Sequence, residues 1–219
     1  MKYKAVLFDM DGTLLDTLQD LTDSVNELLE NHGYPTRSMD YVRESVGNGV
    51  RVLLKRTLPE TVREAELEVL MREYFGIYQK NMNNHTRPFP GVMDVLQYLQ
   101  QNSIRTAIIS NKPDSAVVAL SKDLFGSLID YTMGEKEGIP RKPDPKSAHM
   151  VLEHLDVAAS GAMYVGDSDV DIKTAKNAGV CSVGVTWGFR SADELAAEGA
   201  DHIISDIREL IALTGGSAV

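Results

Sequence analysis

Apolar and polar positions change rhythm repeatedly along this chain, and each change marks an element. Residues 3–7 (YKAVL) are apolar and β-prone, which predicts a buried strand. Leu21, Val25, Leu28 and Leu29 then recur at helical spacing, and Gly33 offers a C-terminal stop. Short helices are expected around 39–45 and 50–57, on either side of a flexible Gly47-Asn48-Gly49 turn. A longer helix follows, with Leu67, Leu70, Met71, Tyr74, Ile77 and Tyr78 on one face. From about residue 16 to about residue 85 no convincing strand is legible, so this stretch reads as a small helical bundle inserted after the first strand.

Beyond Pro88-Phe89-Pro90-Gly91 the rhythm alternates. Helices are expected over 92–101, 115–120, 147–155 and in the stretch closed by Ala178-Gly179. Strands are expected over 104–109, 128–133, 162–165, 181–186 and 202–204. Ser191 and Glu194 have capping-box spacing for a helix between the last two strands. Strands alternating with helices build a parallel sheet with right-handed crossovers. The expected fold class is therefore α/β, with a parallel-sheet core over 1–15 and 87–219 and a helical insert over 16–86. Ligands of such sheets bind beyond the carboxyl ends of the strands. That is where this chain places Asp9, Ser110 and Asp167.

Composition narrows the class without choosing a function. Apolar residues at 43% and charged residues at 25% fit an ordinary globular protein. No apolar run approaches the roughly eighteen residues of a membrane span, so no membrane partner is expected. The N-terminus has no signal-peptide anatomy, which points to the cytoplasm. A net charge of −10 without any basic block argues against nucleic acid. The single cysteine, Cys181, can form no internal disulfide and reads as buried filler. The five histidines do not cluster, and none is taken as catalytic.

The candidate chemistry lies at the strand ends. Asp9 and Asp11 sit two positions apart, followed by Gly12, which permits a sharp turn, and by the Thr13 hydroxyl. Two acids at a strand tip are costly unless a cation or a proton offsets them. Taken singly, each feature has an ordinary structural explanation: a turn for Asp11-Gly12, a cap for Ser110, a loop lysine for Lys142, a helix start for Asp167 and Asp171. Taken in this order, they match what phosphoryl transfer requires, namely a nucleophile, a proton donor, cations and fixed donors for the phosphate oxygens. Asp9 can be the nucleophile and Asp11 the acid and base. Asp9 and Asp167 offer the hard oxygen ligands that Mg²⁺ prefers. Lys142 supplies a positive charge, Ser110 a hydroxyl, and the backbone after Ser110 can present N–H groups to phosphate.

Four segments resemble the four motifs of the haloacid dehalogenase-like hydrolase superfamily: Asp9-Met10-Asp11-Gly12-Thr13, Ser110, Lys142-Pro143-Asp144, and Gly166-Asp167 through Asp171. The resemblance covers the whole chain and implies a Rossmann-like parallel-sheet core with an inserted, mobile helical cap. It implies Mg²⁺ held by Asp9, the carbonyl of Asp11 and Asp167, with Asp171 and Ser168 behind them. It implies phosphate binding through Thr13, Ser110, Asn111 and Lys142.

Within the superfamily, residues 46–51, 88–92 and 186–188 resemble the phosphoglycolate phosphatases. The implied activity is hydrolysis of a small phosphorylated metabolite, 2-phosphoglycolate first, through an aspartyl-phosphate, by a monomer or homodimer. Asn48 and Arg51 of the insert are the expected substrate contacts, the Arg51 fork matching a carboxylate. Related pyrophosphatases and sugar-phosphate phosphatases share similar cores. A dehalogenase of this fold would need neither Mg²⁺ nor Asp11. A phosphomutase resembling β-phosphoglucomutase would keep both acids, but such enzymes tend to carry a histidine after the first motif, and Leu14 through Asp20 contain none. A phospho-accepting receiver module, the non-enzymatic alternative, places its acid pair and acceptor on different strands and has no comparable insert.

Overall fold

The computed structural model describes residues 2–215. The chain divides into two compact units, one formed by the segment up to Leu15 and the segment from Pro88 onward, the other by Asp16–Arg87.

In the first unit, β1 (Ala5–Phe8) is apolar and wholly buried, as a strand covered on both faces of a parallel sheet must be. The later elements are α5 (Val92–Gln101), β4 (Arg105–Pro113), α6 (Asp114–Phe125), β5 (Tyr131–Glu135), α7 (Lys146–Leu155), β6 (Ala162–Gly166), α8 (Asp169–Ala178), β7 (Cys181–Val185), α9 (Ala192–Ala197), β8 (His202–Ile204) and α10 (Glu209–Leu213). The six core strands run in the order β5-β4-β1-β6-β7-β8, and every described pairing is parallel. This is the α/β architecture that the alternation predicts.

Register decides what meets at the sheet edge. Phe8 lies level with Ile108 of β4 and with Val165 of β6. The residues just beyond those levels, Asp9, Ser110 and Asp167, therefore emerge from three adjacent strands. The Asp9 N–H extends the ladder by donating to the Val165 carbonyl at 2.9 Å. Under the sheet, Leu7, Ile109, Val151 and Leu152 belong to one buried cluster, which gives the edge a rigid base.

The second unit contains α1 (Leu18–Asn31), α2 (Met39–Ser45), α3 (Val50–Thr57) and α4 (Glu64–Asn81). Its core includes most of the predicted set: Leu21, Val25, Leu28, Leu29, Leu67, Leu70, Tyr74, Ile77 and Tyr78 are buried, joined by Val42, Leu53 and Leu54, while Met71 is half-buried. Asp20 is completely buried in α1. It accepts from the His85 N–H at 2.9 Å, the Thr86 N–H at 2.9 Å and the Thr86 hydroxyl at 2.8 Å, tying the last residues of the unit to its first helix.

Three local expectations need correction. The chain crosses between the units as β2 (Leu15–Asp16) and β3 (Arg87–Pro88), which pair with each other; two-residue strands carry no periodicity to detect. The strand expected over 128–133 is displaced to Tyr131–Glu135, because residues 126–128 form a 3₁₀ turn and the pairing starts at Ala107 with Tyr131. The strand expected to stop at 109 continues to Pro113, through a register shift between Ile109 and Pro113. That last difference changes the site, because it carries Ser110, Asn111 and Lys112 on strand backbone instead of loop.

Candidate active site

The first motif turns immediately after β1. Gly12 has φ of +82°, a conformation L side chains rarely adopt. A Cβ there would also lie 2.4 Å from Asp167 Oδ2, so glycine is required twice over. Gly188 closes the same corner: its Cβ would come 2.3 Å from the Asp167 Cβ. The 187–189 segment is thus packed against the acids, with Trp187 Nε1 donating to the Thr13 carbonyl at 3.1 Å and the Phe189 N–H donating to Asp167 Oδ2 at 2.8 Å.

Asp9, Asp167 and Asp171 each bring a carboxylate oxygen into one cluster, within 4.8 Å of one another. Lys142 bridges part of it, 3.0 Å from Asp9 Oδ1 and 2.7 Å from Asp171 Oδ1. Asp9 Oδ1 also accepts the Met10 N–H at 2.7 Å, so this carboxylate is held from two sides. Asp171 Oδ2 accepts from the Ser168 N–H and hydroxyl in a capping box at the start of α8. Local helix chemistry thereby fixes the acid that anchors Lys142.

The electrostatics follow from burial. Burial pushes the Asp9 carboxyl up to about 7, with Asp171 and Asp11 adding to the rise and Lys142 opposing it. Burial, then Asp171 and Asp9, raise Asp167 well above the ordinary carboxylate range, against the hydrogen bonds from Phe189 and Thr13. Burial alone would lower Lys142, but Asp171 and Asp9 outweigh it and raise it well above the ordinary lysine range. Four carboxylates, those of Asp9, Asp11, Asp167 and Asp171, face two paired ammonium groups, those of Lys142 and Lys112. The acids outnumber the ammonium groups, so bound protons or a cation must offset the surplus, and the Asp9–Asp167–Asp171 cluster offers the hard oxygen donors that a divalent cation takes.

A model of the haloacid dehalogenase-like hydrolases matches residues 6–185. The chain belongs to the haloacid dehalogenase-like hydrolases. A phosphoglycolate phosphatase of Pseudomonas syringae pv. tomato is 34% identical over 95% of this chain and 78% of its own length. One from Vibrio parahaemolyticus is 32% identical over 98% of this chain and 97% of its own. Among solved structures, a candidate phosphoglycolate phosphatase from Lactobacillus delbrueckii subsp. bulgaricus superposes with a TM-score of 0.92 at 34% identity, covering 98% of this chain and 99% of that one. With phosphatases among its full-length relatives, the chain is a phosphoric monoester hydrolase.

Within this haloacid dehalogenase-like site, the residues singled out from the sequence have different neighbours. Asp9, Asp167, Asp171 and Lys142 form one network, and Ser110 is buried within the neighbouring strand β4. Thr13 and Asn111 each hold a neighbouring site residue. The Thr13 hydroxyl donates to Asp167 Oδ1 at 2.9 Å and so orients that acid. The Asn111 side chain accepts the Lys142 N–H at 2.9 Å and donates to the Lys142 carbonyl, bracing the loop that carries the lysine. In the insert, Asn48 is half-buried between α2 and α3. Arg51 is engaged by Glu64 and Glu68, and Lys55 reaches Glu64 at 3.0 Å.

The residue that sequence reasoning passed over is Lys112. Its Nζ lies 2.8 Å and 2.9 Å from the two oxygens of Asp11, and its backbone N–H donates to the Ser110 hydroxyl oxygen at 3.3 Å. A signal was present. Lys112 follows Ser110 by two positions, the spacing that returns a strand residue to the same face. It was obscured by ending the strand at 109.

Proposed function

We propose that this hydrolase cleaves 2-phosphoglycolate in a Mg²⁺-dependent reaction through an aspartyl-phosphate at Asp9. The observation that carries the reading is the buried cluster of Asp9, Asp167 and Asp171, with Lys142 bridging Asp9 and Asp171. The choice of phosphoglycolate is supported by the curated relatives that carry this activity in their names.

Asp9 attacks phosphorus while the ester P–O bond breaks, and the leaving oxygen takes a proton from Asp11. Asp11 then removes a proton from water, whose oxygen attacks the aspartyl-phosphate. The Asp9–phosphorus bond breaks and inorganic phosphate leaves. Ser110 donates its hydroxyl to a phosphate oxygen, and Lys142 offsets the charge on Asp9 as the phosphoryl group approaches. Asp9, Asp167 and the Asp11 carbonyl would hold Mg²⁺, with Asp171 and Ser168 supporting them. When bound, that ion neutralises charge on the phosphate and the acids. Thr13 keeps Asp167 oriented, and Asn111 keeps Lys142 in place.

The test is a panel of 2-phosphoglycolate, pyrophosphate and sugar phosphates, assayed after verified metal removal and again with Mg²⁺ restored. The expected result is hydrolysis only with the ion present and the highest kcat/KM for 2-phosphoglycolate. Full activity in chelator would sink the mechanism, and a clear preference for pyrophosphate or a sugar phosphate would sink the substrate assignment.

A further inference from the structure

A substrate that carries a carboxylate on its leaving group must bring that charge toward a sheet edge already crowded with acids. Lys142 cannot easily receive it, because its ammonium is committed to Asp9 and Asp171. Lys112 is placed differently. It pairs with Asp11, the residue assigned to the leaving oxygen. Its side chain is only 3% exposed, while that of Asp11 is 14% exposed, so the acid is the more open partner.

A buried ion pair adds little stability over apolar residues of similar size, because desolvation cancels most of the attraction. Packing therefore does not account for a lysine here. Both Asp11 oxygens accept from the same ammonium in this structure. When one of them turns to the leaving oxygen, Lys112 regains a donor directed at the leaving group. In 2-phosphoglycolate the carboxylate stands one methylene away from that oxygen.

We infer that Lys112 is the specificity-determining residue for the leaving group, binding a carboxylate carried close to the ester oxygen. This rests on the proposed phosphoglycolate reading and deepens it. It moves carboxylate recognition away from Arg51, whose guanidinium is held by Glu64 and Glu68. The class of substrate selected is a short phosphomonoester of a hydroxy acid.

The experiment compares kcat/KM for 2-phosphoglycolate with that for 2-hydroxyethyl phosphate, which replaces the carboxylate by a neutral hydroxymethyl group. Both are measured at saturating Mg²⁺ for the wild type, Lys112→Gln and Lys112→Arg. Losing Lys112 also disturbs Asp11, and that loss is common to both substrates, so the ratio of the two constants is the readout. The wild type is expected to favour 2-phosphoglycolate. Lys112→Gln should lower the ratio roughly tenfold to a hundredfold, the scale of one charge-assisted hydrogen bond, and Lys112→Arg should retain most of it. If Lys112→Gln does not fold by circular dichroism, Lys112→Met gives the same readout. A wild-type preference that survives both neutral substitutions overturns the role of Lys112 and leaves the phosphoglycolate reading standing. A wild type without any preference overturns both.

Discussion

The sheet core and the helical insert both contain acid–base networks, built in opposite ways. In the core, the side chains of Lys142 and Asp171 are 2% and 0% exposed and meet at 2.7 Å. In the insert, Arg51, Lys55, Glu64 and Glu68 form a partly exposed cluster on α3 and α4. Exposed pairs of the second kind are worth roughly 0–1 kcal/mol, because water and salt screen them. Buried pairs of the first kind contribute little net stability, yet lose several kcal/mol when one partner is removed. The contrast teaches where function lies. The insert is held by its apolar core, and its charges decorate that core. The sheet edge carries a desolvation cost, which the proposed reaction accounts for.

The largest expected effects come from the core. Asp9→Asn should abolish phosphoenzyme formation, as read by trapping with a labelled substrate; turnover near the wild-type rate would remove Asp9 as nucleophile. Asp11→Asn should slow hydrolysis of an alkyl phosphate on the order of a hundredfold to ten-thousandfold. Phosphoenzyme formation from p-nitrophenyl phosphate should suffer less, since that leaving group needs little protonation. Equal damage with both substrates would refute the acid role.

Asp20 breaks the simple division, being a buried acid inside the insert. Asp20→Ala leaves the His85 and Thr86 N–H groups without their acceptor. It should destabilise the protein by roughly 2–4 kcal/mol in denaturant titrations. A change below about 0.5 kcal/mol would show that water replaces the carboxylate freely.

A smaller effect follows from the raised Asp9 pKa. The folded state holds that proton more tightly than the unfolded chain, so the Asp9 contribution favours folding at low pH and is lost as pH rises through about 7. A cation needs the ionised form. The gain in Tm on adding Mg²⁺ should therefore be larger near pH 8 than near pH 6, by on the order of several degrees, and this difference should shrink in Asp9→Asn. A gain independent of pH would contradict the assignment.

The smallest effect is expected at Arg51. With its guanidinium held by Glu64 and Glu68, Arg51→Ala should change kcat/KM for 2-phosphoglycolate by less than about threefold. A loss of tenfold or more for that substrate, with p-nitrophenyl phosphate unaffected, would return carboxylate recognition to the insert.

Much of this is legible in the sequence alone. Alternating strands and helices announced the parallel sheet, and helical spacing from Leu21 to Tyr78 announced the insert and its core. Asp9 and Asp167 are legible at strand ends, because an apolar run that stops at an acid is a local signal, whereas the strand of Ser110 continues to Pro113. Only the tertiary structure decided the pairings. Lys112 and Asp11 are 101 positions apart, and Thr13 and Asp167 are 154 apart. Nothing local relates such residues; the strand order and register bring them together. The same holds for Arg51, whose partners lie on the next helix, and for the Asp9 carboxyl near 7, which reflects burial and neighbours that no spacing encodes. Periodicity reports which face a residue belongs to, whereas the partner it meets on that face depends on how the elements pack.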